Sequence, residues 1–187
     1  MATSCSSRTV ALSPDLRQWF DPGVSDRDPK DPDAVDVNML EPRVKVGVLL
    51  AAPGNGGDSL SDNARKHYSA LNPDFSHMMT KTLVVAGDAD LAEHLTIRGA
   101  DWYRDPFRNG PGADSMLTLI GGKHGLGGVS GYDAKETSDE DPDRLAVVQR
   151  MTWAYLRSAL YVGDRAWSEA FSALERYAST HGRVDIK

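Results

Sequence analysis

The chain has 187 residues, 40% hydrophobic and 26% charged, with 27 acidic against 21 basic side chains and a formal charge of -6 at pH 7. An acidic surface with no Lys/Arg cluster repels phosphate backbones, which excludes nucleic acid as an expected partner. No apolar run reaches the roughly 20 residues that span a bilayer, and one cysteine, Cys5, excludes a scaffold stapled by internal disulfides.

Residues 1–40 have no apolar periodicity, and DPGVSDRDPKDPDAVD (21–36) is crowded with proline and aspartate; the segment reads as irregular or disordered. The first residues, MATSCSSRTVALSPDLRQW, lack the apolar core of a secretion signal, so a soluble, cytoplasmic protein is expected. Order is expected over 41–187. VKVGVLLAA (44–52) is β-branched and apolar up to Pro53-Gly54 and predicts a buried strand. LSDNARKHYSAL (60–71) has helical composition. TLVVAG (82–87) predicts a second strand, LAEHLTIRGADWYRD (91–105) one or two short helices, and MLTLI (116–120) a third strand. Strands about 35 residues apart with helical material between them give the βαβ rhythm of a parallel sheet.

The last fifty residues predict two long helices. Asp141 is placed to cap the first, with Pro142 at its first position, where a missing N–H costs nothing. Leu145, Val148, Thr152, Tyr155, Leu156 and Ala159 form its expected apolar stripe, and Gly163 its stop. Asp164 is placed to cap the second, whose stripe is Trp167, Ala170, Phe171, Leu174, Tyr177 and Ala178.

In an open parallel sheet, ligands and reactive groups collect at the carboxyl ends of strands. Those ends carry AAPGNGGD (51–58), GDAD (87–90) and GGKHG (121–125). An aspartate that accepts from one ring nitrogen of His124 fixes its tautomer and leaves the other nitrogen as a base. Asp88 and Asp90 compete for that role. On residue type alone, His124 reads first as a structural loop histidine, and Asp90 can be only a cap or turn residue. GLGGVS (125–130) ends in serine and opens no helix, so it is no dinucleotide cradle. His67 and His77 share no helical face, which argues against zinc. Trp102, Trp153 and Trp167 read as core or interface aromatics.

TLVVAGDAD (82–90) resembles the strand of α/β-hydrolases that ends in Gly-x-x-Asp, and LTLIGGKHGLGGVSGYD (117–133) resembles the last strand and histidine loop of the same fold. DPKDPDAVDVNMLEPRVKVGVLLAAPG (28–54) and QRMTWAYLRSALYVGD (149–164) are similar to the flanking parts of a bacterial, chlorophyllase-like or dienelactone-hydrolase-like branch, so the resemblance spans about residues 26–175. It implies a partial α/β-hydrolase fold of about three parallel strands flanked by helices. It implies hydrolysis of a small-molecule carboxylic ester or related acyl bond, without a cofactor or metal, with Asp90 as triad acid and His124 as base. The departure is the nucleophile. The family's Gly-x-Ser-x-Gly elbow precedes acid and histidine, whereas here that place holds Ser4, Ser6 and Ser7 with no glycine before Gly23, and GGVSG (127–131) has the wrong spacing. The expectation is therefore the carboxy-terminal part of a hydrolase domain, esterase-like or else an inactive truncated fragment. In the fragment case an apolar strand edge would be left open at 44–50.

Overall fold

Val46–Leu50 forms strand β1, Lys81–Gly87 forms β2 and Ala113–Leu119 forms β3 in the computed structural model. It describes residues 43–68, 71, 73, 75–129, 131 and 139–187; Ser4, Ser6, Ser7, Cys5, Ser130 and the 1–40 segment lie outside them. β2 pairs in parallel with β1, Val48 opposite Leu83, and with β3, Val85 opposite Leu117. Almost every residue of β2 and β3 is buried. That is why their sequences run continuously apolar rather than alternating: a parallel sheet is covered on both faces. The three expected parallel strands are present.

A fourth strand, β4 (Gly182–Ile186), was not expected. It adds antiparallel to β3, Leu117 opposite Val184, giving the order β1-β2-β3-β4. GRVDI offers only a short alternation with two charged positions, too little to separate a strand from a tail. Tertiary contacts hold it instead, including Arg104 to Asp185 at 3.1 Å. At the opposite edge, β1 pairs with β2 alone among the described residues, and its last residue, Leu50, is exposed.

The connections are more compact than the sequence suggested. Between β1 and β2 the helical composition of 60–71 yields only α1 (Asp62–His67), capped by Ser61, whose hydroxyl oxygen accepts from the Ala64 N–H. Between β2 and β3 the chain forms a 3-10 segment (Gly99–Arg104) and the short helix α2 (Asp105–Asn109). Trp102 and Tyr103 from the 3-10 turn are fully buried, edge to face at 5.4 Å.

Two long helices follow, α3 (Pro142–Leu160) and α4 (Ala166–Tyr177). Asp141 caps α3 as expected, accepting from the N–H groups of Asp143 and Arg144. The buried stripe is rotated from the expected one: Val147, Val148, Met151, Ala154 and Tyr155 face the core, while Leu145, Thr152, Leu156 and Ala159 are only half-buried. α3 packs on β1 and β2 with one side and on α4 with another, so its apolar band is wider than one stripe. The buried Tyr155 hydroxyl donates to Asp114 of β3 at 2.6 Å, and the Trp167 ring stands edge-on against Tyr155 at 5.1 Å. α4 is superficial. Leu174 is its buried residue, and Tyr177, expected inside, is exposed.

Candidate functional site

Parallel pairing brings the carboxyl ends of β2 and β3 side by side, and hydrogen bonds zip the two outgoing loops together. Asp88 N–H donates to the Leu119 carbonyl at 3.0 Å and Ala89 N–H to the Gly122 carbonyl at 2.9 Å. The Asp88 carboxylate accepts from Gly121 N–H at 2.7 Å. Asp88 is thereby spent on the turn, and Asp90 reaches the imidazole: His124 Nδ1 lies 2.8 Å from Asp90 Oδ2. The Asp90 side chain is 6% exposed and that of His124 is 67% exposed, so the acid is sheltered and the base faces solvent.

The glycines around His124 have two uses. Gly87 lies so close to the histidine loop that a Cβ on it would sit 2.1 Å from the Gly122 carbonyl oxygen. Gly127 has φ +81, and a Cβ there would meet the Asp141 carbonyl oxygen and Leu145 nitrogen at 2.9 Å, where α3 begins. The first glycine lets two strand ends touch; the second lets the loop turn back onto a helix. We expect Gly87→Ala to push the loops apart at a cost of about 1–3 kcal/mol, typical of overpacking. A thermal melt and the His124 proton resonance check this: loss of the Asp90 contact returns its titration midpoint toward the ordinary value.

The side chain of Asp139 fastens the same loop. Its Oδ2 accepts from Lys123 N–H at 2.7 Å, and its Oδ1 is buried without a partner among the described residues. Nothing in the sequence marks Asp139. It lies two positions before a helix cap, and its role depends on a loop distant in the chain. Tyr103, also unmarked, adjoins the imidazole: its hydroxyl lies 3.4 Å from His124 Nδ1 and its ring 5.9 Å from the imidazole.

The open side of His124 faces a cleft of about 530 Å³ lined by Leu91, Ala92, Glu93, His94 and Lys123 together with the Asp90–His124 pair. The Asp90 carboxylate, hydrogen-bonded and nearby, raises the His124 pKa above 6.5 against the opposing effect of burial, with a further push from Asp139. Burial, and after it the charge of the same carboxylate, hold the Tyr103 phenol protonated well beyond its ordinary range. No family model, no curated protein and no solved structure matches this chain.

The loop after β1, expected at the same face, does not line this cleft. Asn55 N–H donates to Asp105 Oδ2 at 3.0 Å and Trp102 Nε1 to the Asn55 carbonyl at 2.7 Å, tying the loop to the 3-10 turn. Among the described residues the group with ligand atoms within 4.8 Å of one another is Asp141, Asp143 and His181, which includes neither His67 nor His77. Asp141 is already committed there, one oxygen to the helix cap and the other to Arg144 at 3.0 Å. Trp102 is core as expected, Trp167 half-buried, and Trp153 exposed. No described helix is long and apolar enough to cross a membrane.

Proposed function

We propose that this chain is an α/β-hydrolase-type protein that hydrolyses carboxylic esters or related acyl bonds of small molecules, with His124 as general base and Asp90 as its orienting acid. The observation that carries the reading is the 2.8 Å contact between a sheltered carboxylate and a solvent-facing imidazole at adjacent strand ends. With Nδ1–H directed at Asp90, Nε2 is the free base. Among the described residues no serine is a partner of His124, so the reaction requires a serine from residues 1–20 at Nε2; its hydroxyl attacks the ester carbonyl as Nε2 removes its proton. The imidazolium, stabilised by Asp90, then returns that proton to the leaving alkoxide. The acyl-enzyme is released by water through the same base. The chemistry calls for no cofactor.

A second reading, a catalytically inert relative of such enzymes, is favoured by one observation. Among the described residues the side-chain partners of His124 are Asp90 and Tyr103, and neither is a nucleophilic serine. Hydrolysis of p-nitrophenyl acetate and butyrate across pH separates the two. Neutral imidazole is the base, and its pKa is raised, so the rate is expected to rise with pH through a midpoint above 6.5 and to vanish on the acid side. A rate equal to buffer at every pH leaves only the inert reading.

A further inference from the structure

The histidine loop is bonded at its front to the turn after β2, and the backbone around His124 is tied down from elsewhere, by the segment that leads into α3. Asp139 Oδ2 accepts from Lys123 N–H at 2.7 Å and, more loosely, from Gly127 N–H at 3.4 Å. Asp141 N–H donates to the Gly127 carbonyl at 3.1 Å, and Arg144 Nε to the Ile120 carbonyl at 2.8 Å. Asp139 is the member of this set that spans the histidine. One of its oxygens collects the N–H of the residue before His124 and the N–H of Gly127 beyond it. Its side chain is 9% exposed and lines the same cleft as the imidazole. Between the two clasped N–H groups, Leu126 is buried with φ +50, a left-handed conformation that a bulky residue holds only where its surroundings impose it.

We propose that Asp139 is a positioning residue for the imidazole: by clasping the backbone on both sides of His124 it sets the loop position at which Nδ1 meets Asp90. The 2.8 Å contact joins two side chains on different loops, so it exists only while both loops keep their places. A charged acceptor makes hydrogen bonds roughly twice as strong as a neutral one, which suits a clasp that holds a strained turn. Without it two N–H groups lose their acceptor, the turn at Leu126 relaxes, and the ring moves with it. The inference rests on the hydrolase reading for what a well-placed imidazole does, and its titration test does not. The titratable groups around the ring are Asp90, Glu93 and His94 after β2, Tyr103 on the 3-10 turn, Lys123 on its own loop and Asp139 ahead of α3. The variants below alter the last of these alone.

The test is the NMR titration of His124 in the full chain. Asp139→Asn separates clasp from charge. An amide NH₂ cannot accept, so the amide oxygen faces Lys123 N–H, and the NH₂ takes the place of Oδ1, which has no hydrogen-bond partner among the described residues. Asp139→Asn thus keeps the clasp and removes the charge, while Asp139→Ala removes both. The Asp139→Asn midpoint is expected slightly below the parent's and still above the ordinary 6.5, because the Asp90 contact survives. The Asp139→Ala midpoint is expected to fall to about 6.5 as that contact is lost. In an active chain the high-pH rate plateau is kept by Asp139→Asn and falls about 10²-fold in Asp139→Ala, the cost of a misplacement of about 1 Å. Where Asp139→Ala does not fold, Asp139→Gln replaces it. That side chain is uncharged like asparagine and one methylene longer, so it holds the loop off its place, and its midpoint is expected below that of Asp139→Asn. Equal midpoints in the two variants compared, high or low, overturn the proposal and leave Asp139 as a nearby charge or a fold element. Absence of ester turnover with the midpoints ordered as expected sinks the hydrolase reading and leaves this one intact.

Discussion

Under the proposed hydrolase reading, His124→Ala is expected to lower kcat for p-nitrophenyl butyrate by about 10⁴-fold, the upper end of what a positioned acid–base group contributes. The side chain stands on a loop, largely exposed, and no other described residue takes its hydrogen bond to Asp90, so the loss falls on chemistry rather than on folding. Melting temperature of the variant should stay close to that of the parent, which distinguishes a catalytic loss from a collapsed site. Asp90→Asn tests the other half. The amide oxygen can still accept from Nδ1–H, but the amide group can equally turn its NH₂ toward the ring and favour the wrong tautomer, at a cost of about 10⁴ in kcat where such an exchange has been made in a triad. It also removes the charge that raises the His124 pKa, so the pH–rate midpoint drops toward 6.5 as the plateau falls. A His124→Ala variant that hydrolyses ester as fast as the parent, or an Asp90→Asn variant with an unmoved midpoint, removes the basis for the assignment.

The same raised pKa has a small consequence for stability. A histidine whose folded pKa exceeds its unfolded value favours the folded state fully below the unfolded value of 6.5, and that contribution disappears as pH rises through the folded value. Stability of this pair and the activity proposed for it therefore run in opposite directions with pH: the protonated form stabilises, and the neutral form is the proposed base. Exposure of the imidazole keeps the stability side small.

The parts of this molecule that were legible in its sequence are those set by local rules. A continuous apolar run between turn signals gave β1, β2 and β3; for β2 and β3 that is because a strand buried on both faces needs nothing else, whereas β1, expected buried, is a mostly half-buried edge strand. Asp141-Pro142 gave the start of α3 because a cap is a contact with the next three residues. That an aspartate after β2 would meet His124 was legible because parallel neighbours place successive strand ends together, a topological consequence of the βαβ rhythm, while the choice of Asp90 over Asp88 came from the Gly-x-x-Asp resemblance. What escaped depends on distant partners. β4 is a strand because β3 has a free edge for it. α1 stops at His67, with Tyr68 already out of helical geometry, because a helix this short draws its stability from packing rather than propensity. Asp139 reaches the site through the Lys123 N–H and Tyr103 through the imidazole, both in another part of the chain, and no spacing rule reaches them.

The largest expected effect on stability lies away from the cleft, at Asp105. Its side chain is 4% exposed and accepts both guanidinium arms of Arg98, Nη1 at 2.7 Å and Nη2 at 2.8 Å, and the backbone N–H of Asn55 at 3.0 Å. The carboxylate thus holds together the loop after β1, Arg98 ahead of the 3-10 turn, and the first residue of α2. It lies close under Gly54, where a Cβ would approach Asp105 Oδ2 to 2.7 Å. Asp105→Ala strands the guanidinium beside a hole and leaves the Asn55 N–H without its acceptor. Breaking a buried pair by removing one partner costs about 3–5 kcal/mol. Arg98 keeps Asp101 at 2.9 Å and some access to water, so the lower end applies, about 3 kcal/mol. For a chain of this length that is a fall of roughly 6–12 °C in Tm, read equally as a lower urea midpoint at unchanged slope. Arg98→Met in the Asp105→Leu background removes both charges and is expected to recover part of the loss, because the penalty of the single variant is largely the uncompensated cation. A single Asp105→Ala variant as stable as the parent would mean that water already solvates Arg98 and that the loop after β1 is held by Trp102 and Asn109 instead, through their bonds to Asn55.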